Sequence, residues 1–299
     1  MHSRCGMAFV LFLGLSACLP IQPGPAVPPT LTPTASVLQP KWTATAFPTP
    51  SPSPSPIPTT TPAATPSAQA APLPSPAKIC APLEGIDPAE LDSPDLLKNP
   101  YLAARAGYDD GHPGIDLAYW SLPNGQAMLG QPVLSSLDGI VAGVLPERQP
   151  FGHALIIETP LERLPASWPA QIKLPLPQAH LQASYSLSCP DLSGFNASTQ
   201  SISIYTLYAH LNRIPLVHTG EAVSCGQAVG EVGTSGKSVN PHLHLEMRSG
   251  PSGQTFASLG HYDTAATPAE MHAYCLWRIS GAFPSFDPLN LFSLVLPEH

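Results

Sequence analysis

The residues best suited to chemistry lie in Pro241-His242-Leu243-His244-Leu245-Glu246, where two histidines stand at i and i+2 between apolar neighbours. In an extended strand side chains alternate between faces, so His242 and His244 point the same way and can be offered to a metal ion or to a reacting carbonyl. A second segment, His112-Pro113-Gly114-Ile115-Asp116, pairs an imidazole with a carboxylate. On a straight strand those two groups would lie about 13 Å apart, but Pro113 and Gly114 can turn the backbone and bring both to one ion. A third, Tyr205-Thr206-Leu207-Tyr208-Ala209-His210-Leu211, ends a strand-like pattern at His210. Taken singly, each motif is equally a half-buried strand whose histidines bond only to neighbours or water.

The elements that must position these residues read as short strands punctuated by glycine. Candidates are residues 132–135, 139–144, 153–158, 201–208 and 241–248, with turn signals at Asp138-Gly139 and Thr219-Gly220. Their β-branched and aromatic content argues for an antiparallel β architecture. Residues 83–105 carry helix signals instead, with Ser93-Pro94-Asp95 resembling a cap and first turn. Two stretches, 160–200 and 253–284, exceed hairpin-loop length, and each is an insertion or holds further elements. The expectation is a mainly β fold: a compact antiparallel β-sheet domain with a metal-binding groove and two long insertions.

Composition divides the 299 residues. Of 40 prolines, 18 fall between Leu19 and Lys78, a stretch with no acidic residue. From Glu84 onward stand all 20 Asp and Glu against nine Lys and Arg, a net charge of −11. Such a surface repels phosphate backbones, which argues against a nucleic-acid partner. It also gives no electrostatic reason to bind anionic lipid. Attachment to a membrane is expected from the N-terminus, where the apolar run Met7 to Leu15 is too short to span a bilayer and suits a secretory leader. That run ends in Leu15-Ser16-Ala17-Cys18, which resembles a bacterial lipobox. Residues 1–17 are thus expected to be a lipoprotein signal peptide. Residues 18–78 would form a lipidated Cys18 and a disordered Pro/Ser/Thr-rich linker, and residues 79–299 the folded domain.

His-x-x-x-Asp, then Tyr-Ala-His-Leu, then a glycine-rich run and Pro-His-Leu-His-Leu-Glu, in this order, resembles the lysostaphin-type (LytM-like) zinc metallopeptidases. The resemblance covers residues 108–248 and the closing segment Phe286-Asp287-Pro288-Leu289, leaving out the leader, the linker and both insertions. It implies that His112, Asp116 and His244 hold one Zn2+ per chain and that His210 and His242 are the catalytic histidines. Two imidazoles and one carboxylate make a three-ligand zinc site with a fourth position open to water. The implied activity is a zinc-dependent endopeptidase cutting peptidoglycan stems or cross-bridges, with zinc-bound water as nucleophile. Anchored through Cys18 to the outer face of a bacterial membrane, such a domain would reach the wall peptide on its linker. Two alternatives remain: a non-catalytic regulator of cell-wall hydrolases, and a zinc peptidase acting on a secreted protein. The oligomeric state is left open.

The other polar residues have plainer expectations. Cys80, Cys189, Cys225 and Cys275 suggest two disulfides in an exported chain. The preferred pairing is Cys80–Cys275 and Cys189–Cys225, the latter pinning residues 160–200 over the groove. His153, His180, His218, His261 and His272 match no ligand spacing. Asp109 and Asp110 are expected to solvate a loop, and Tyr205 and Tyr208 to pack. Glu246, in phase with His242 and His244, is a candidate for supporting a ligand from behind. Relatives often carry Ser-Thr-Gly where this chain has Ser238-Val239-Asn240. Asn240 keeps that turn feasible, and Val239 alters the rim.

Overall fold

The structure, a computed structural model, describes residues 77–119, 128–178, 187–195 and 201–295, all within the unit Thr65–His299. Strand β9 (Leu243–Pro251) holds the centre of the main sheet. On one side it pairs antiparallel with β2 (Gly114–Leu117), which pairs in turn with β1 (Leu97–Asn99). On the other side come β6 (Ile202–Leu211), β5 (His153–Pro160), β4 (Gly139–Leu145) and β7 (Ala222–Val223), each antiparallel to the last. The short β10 (Ser285–Phe286) pairs with the far end of β9, while β3 (Pro132–Leu134) and β8 (Ala228–Glu231) form a separate ribbon. Helices are few: α1 (Trp168–Gln171), α2 (Pro268–Arg278) and α3 (Leu289–Phe292). Among the described residues no helix is long and apolar enough to cross a membrane. The leader, Cys18, most of the linker and His180 lie outside the described residues.

The strand alternation in β9 decides what lies on each face. Leu243, Leu245 and Met247 are fully buried in one core with Ile115, Leu117 and Tyr208. Burial of each such side chain contributes about 1.5–3 kcal/mol. The opposite phase, His244, Glu246 and Arg248, is polar and yet also buried. It is covered by a second core in which Trp277 and Phe283 pack against Tyr205, Leu207 and Phe256. That cover comes from residues 253–284, so this stretch contains a true element, α2. Thr267 caps α2 reciprocally with Glu270, and Pro268 sits in the first turn. The Thr-Pro-x-Glu pattern is a sequence signature of a helix start.

Two expectations are corrected. Residues 83–105 do not form the helix suggested at Ser93-Pro94-Asp95. Asp87 caps a single turn over Pro88–Glu90, and the following chain becomes β1. The open edge of β2 supplies backbone partners there, and Leu91 and Leu96 enter the core, so tertiary contacts override local propensity. The disulfides are Cys80–Cys225 and Cys189–Cys275, with Cα separations of 5.6 and 6.0 Å. Cys80 and Cys225 flank one turn, where Cys80 N–H donates to Ser136 O (3.0 Å) and Cys225 N–H to Asp138 Oδ1 (2.7 Å). Cys275 lies on the face of α2 that buries Leu192 and Ile279 beside Cys189. Residues 160–200 are therefore pinned to α2 and not to Cys225.

Peptide mapping without reduction should recover Cys80–Cys225 and Cys189–Cys275, and a Cys189–Cys225 peptide would contradict this fold. Cys189→Ser with Cys275→Ser should lower stability by about 2–5 kcal/mol, read by denaturant unfolding.

Candidate metal centre

Strand register brings the first two donors together. Asp116 on β2 stands directly opposite His244 on β9, and opposed side chains on one face of a sheet lie within contact distance. His112 precedes β2, and its backbone exchanges hydrogen bonds with Leu102. The Pro113-Gly114 bend then folds its ring back over Asp116. His112 Nε2 lies 3.1 Å from Asp116 Oδ1 and 3.2 Å from His244 Nδ1, and His244 Nδ1 lies 2.8 Å from Asp116 Oδ1. Among the described residues, His112, Asp116 and His244 form a group able to hold a metal ion.

The donor set fits a cation. Ligand atoms about 2.0–2.2 Å from a tetrahedral ion stand about 3.3–3.6 Å from one another, a few tenths of an ångström wider than the spacing observed. The far nitrogens of both rings are engaged. His112 Nδ1 lies 3.0 Å from Pro100 O, and His244 Nε2 lies 3.4 Å from Glu246 Oε2. A carbonyl or carboxylate only accepts, so those far nitrogens carry hydrogens; the facing nitrogens donate to Asp116 here and would offer lone pairs to an ion on losing that proton. Burial alone would raise the Asp116 carboxyl, but hydrogen bonds from His112 and His244 hold it well below the usual range. Burial would likewise depress His244, yet Asp116 and Glu246 push it up to about 9. Glu246 is pulled down to about 2 by Arg248 and His244 against its own burial. The cluster is thus built to hold positive charge between two carboxylates, and a bound metal would replace the proton.

His210 and His242 complete the wall. His210 ends β6 next to Ala209, which is paired with His244, and its backbone adopts φ 60°. This left-handed turn is uncommon for a side chain of its size. His210 Nδ1 donates to Ser235 O (2.8 Å) and His242 Nδ1 to Asn240 O (2.8 Å). Both Nε2 atoms are left as acceptors. The two rings lie 4.7 Å apart between centroids, and His242 Nε2 is 3.6 Å from Asp116 Oδ1. Burial, with the neighbouring His244 and His242, pushes His210 down to about 3, so it is neutral at neutral pH.

All five side chains line one open groove of about 580 Å³. Phe151, Lys237, Val239, Tyr262, Tyr274 and Arg278 complete it. Val239 is 94% exposed at the rim, as its departure from the usual small residues suggests. Asp109 does not solvate a loop: its side chain is largely covered, paired with Arg278 at 2.7 Å, and accepts from Tyr262 and Tyr274. Sequence reasoning missed this hub because all three partners lie more than 150 residues away. Tyr205 and Tyr208 pack as expected, their hydroxyls engaged by Pro251 O and Ser136 N–H.

Gly114 is required by close approach. A Cβ there would stand 2.5 Å from Leu245 O and 2.9 Å from His244 Cε1. Gly114→Ala should therefore displace the His244 ring, costing about 1–3 kcal/mol of stability and weakening metal binding in a chelator competition. An unchanged metal affinity would contradict the geometry.

Residues 198–257 match the family model described as Peptidase family M23. No curated protein sequence matches the chain. Among solved structures it is similar, at 20% identity, to the catalytic domain of the prophage-encoded M23 protein EnpA from Enterococcus faecalis. That match covers 58% of this chain and 94% of the other, with a TM-score of 0.30. The catalytic domain of lysostaphin from Staphylococcus simulans is 18% identical over 52% of this chain and 80% of its own, with a TM-score of 0.27. A zinc-containing peptidase from Vibrio cholerae is 21% identical over 50% and 32%, with a TM-score of 0.28. At these scores the likenesses are findings of similarity alone. The family match runs from β6 to β9 and holds His210, His242 and His244, and in it this chain resembles the lysostaphin-type peptidases of family M23.

Proposed function

We propose that this chain is a zinc-dependent endopeptidase that hydrolyses peptide bonds in peptidoglycan stems or cross-bridges. One observation carries the reading: His112, Asp116 and His244 converge as for a metal ion, and the imidazoles of His210 and His242 line the same groove. The family M23 match supports it. His112, Asp116 and His244 would hold the ion. When bound, zinc polarises an amide carbonyl and lowers the pKa of water towards about 7. His210 and His242 act as general base, one of them taking a proton from the attacking water and returning it to the leaving amine, or as stabilisers of the tetrahedral intermediate. Ser235 O and Asn240 O hold each Nδ1–H, so either ring, once protonated, stays oriented and stabilised. The open groove suits a substrate that is part of a larger polymer. Residues 1–17 and Cys18 are proposed as the leader and lipid anchor that keep the domain near the wall.

The test is incubation of the purified chain with peptidoglycan, with and without a zinc chelator, and identification of new amine and carboxyl termini by mass spectrometry. Cleavage should require the metal. His242→Ala should lower turnover by at least about 10²-fold while zinc stays at about one ion per chain. Cleavage in the chelator, or loss of zinc from this variant, would count against the assignment.

A further inference from the structure

Tyr274, Trp277 and Arg278 occupy positions i, i+3 and i+4 of α2, which places them on one helical face. That face meets both segments that carry the candidate histidine ligands. Trp277 donates its indole N–H to Glu246 Oε1 (3.1 Å), and the other oxygen of Glu246 stands 3.4 Å from His244 Nε2. The Arg248 guanidinium lies over the Trp277 ring, 5.0 Å from its centroid, and donates to the same Oε1 of Glu246. A few residues along the helix, Arg278 and Tyr274 reach Asp109 at 2.7 and 2.9 Å. Asp109 stands three residues before His112. The intervening Gly111, at φ +70°, would place a Cβ 2.5 Å from Leu102 O, so the connection is short and tightly held. Phe151 adds a third link, its ring 6.2 Å from His244 and 6.0 Å from Tyr274. Cys275 fastens the helix from its other side to Cys189.

We infer that α2 positions the metal ligands, Trp277 acting through Glu246 on His244, and Tyr274 with Arg278 acting through Asp109 on His112. The inference rests on the metal-centre reading above and assigns residues 253–284 the part of a fixed buttress. The physical reason lies in the orientation of Glu246. Its carboxylate is fully buried, and the indole N–H and Arg248 together hold Oε1, which leaves Oε2 facing His244; without the N–H that orientation is fixed by Arg248 alone. Outer partners of this kind fix the tautomer and direction of a ligating imidazole, and their loss typically weakens metal affinity 10–100-fold. These three are positioning residues, since none is among the proposed ligands or proton carriers.

The test measures Zn2+ affinity of the full chain by competition with a chromophoric chelator, together with the visible absorption bands of the Co2+-loaded protein. Trp277→Phe keeps a large ring and removes the N–H, and it should bind Zn2+ about 10–100-fold more weakly, with shifted Co2+ bands. Tyr274→Phe removes one hydrogen bond to Asp109 and should weaken binding in the same direction. Tyr205→Phe is the control: its ring lies in the same aromatic core, 6.4 Å from Trp277, but its hydroxyl serves Pro251. It should stay within about twofold of the unmodified chain. Wild-type affinity in both α2 variants would overturn the inference, as would an equal loss in the control. If Trp277→Phe fails to fold, Tyr274→Phe decides alone. An unmodified chain that binds no Zn2+ would overturn the metal-centre reading itself, and the inference with it.

Discussion

The pairing of β2 with β9 sets Asp116 directly across from His244, and the rest of the centre depends on that register. A slip of one residue would send Asp116 and His244 to opposite faces. It would also turn Leu243, Leu245 and Met247 out of the core that now buries them. Burial of one face of β9 therefore enforces chemistry on the other. The same strand pairs with β6 on its far side, which brings His210 to the groove beside His244. His112 and His242 lie just outside the strands, each held by an isolated bridge, His112 to Leu102 and His242 to Gly233.

A polar face buried in a protein carries a desolvation cost unless its charges are paired and hydrogen-bonded. Here the pairing is complete enough to be structural. Glu246 is shared among Arg248, Trp277 and His244, and Arg248 also donates to Trp277 O and Phe283 O. Asp116 is shared between two imidazoles. Pro100 O, Glu246, Ser235 O and Asn240 O each hold one ring nitrogen of His112, His244, His210 and His242 in turn. Preorganisation of this kind lowers the cost of assembling a site around an ion.

Much of this was legible in the sequence. The i, i+2 spacing of His242 and His244, the bendable His112–Asp116 pair and the strand leading to His210 indicated five residues that the structure brings to one groove. The antiparallel character followed from short β-branched runs. What could not be read was the cover over the polar face of β9. The alternation in Leu243-His244-Leu245-Glu246-Met247-Arg248 looks like a strand with one face in water. Only the tertiary fold shows that α2 buries it. The capping pattern Thr267-Pro268-Ala269-Glu270 was a local signal that could have revealed the helix. The disulfides were misassigned because no local rule joins residues 145 and 86 positions apart. The hub at Asp109 was hidden for the same reason.

The central claim is that three residues bind one ion while two neighbouring histidines stay free of it. Crystals of the zinc-loaded chain, with anomalous diffraction collected at the zinc absorption edge, test this most directly. One peak should lie about 2.0–2.2 Å from His112 Nε2, Asp116 Oδ1 and His244 Nδ1, with His210 and His242 beyond bonding distance. A peak ligated by His210 or His242, or one lying elsewhere in the molecule, would contradict the account.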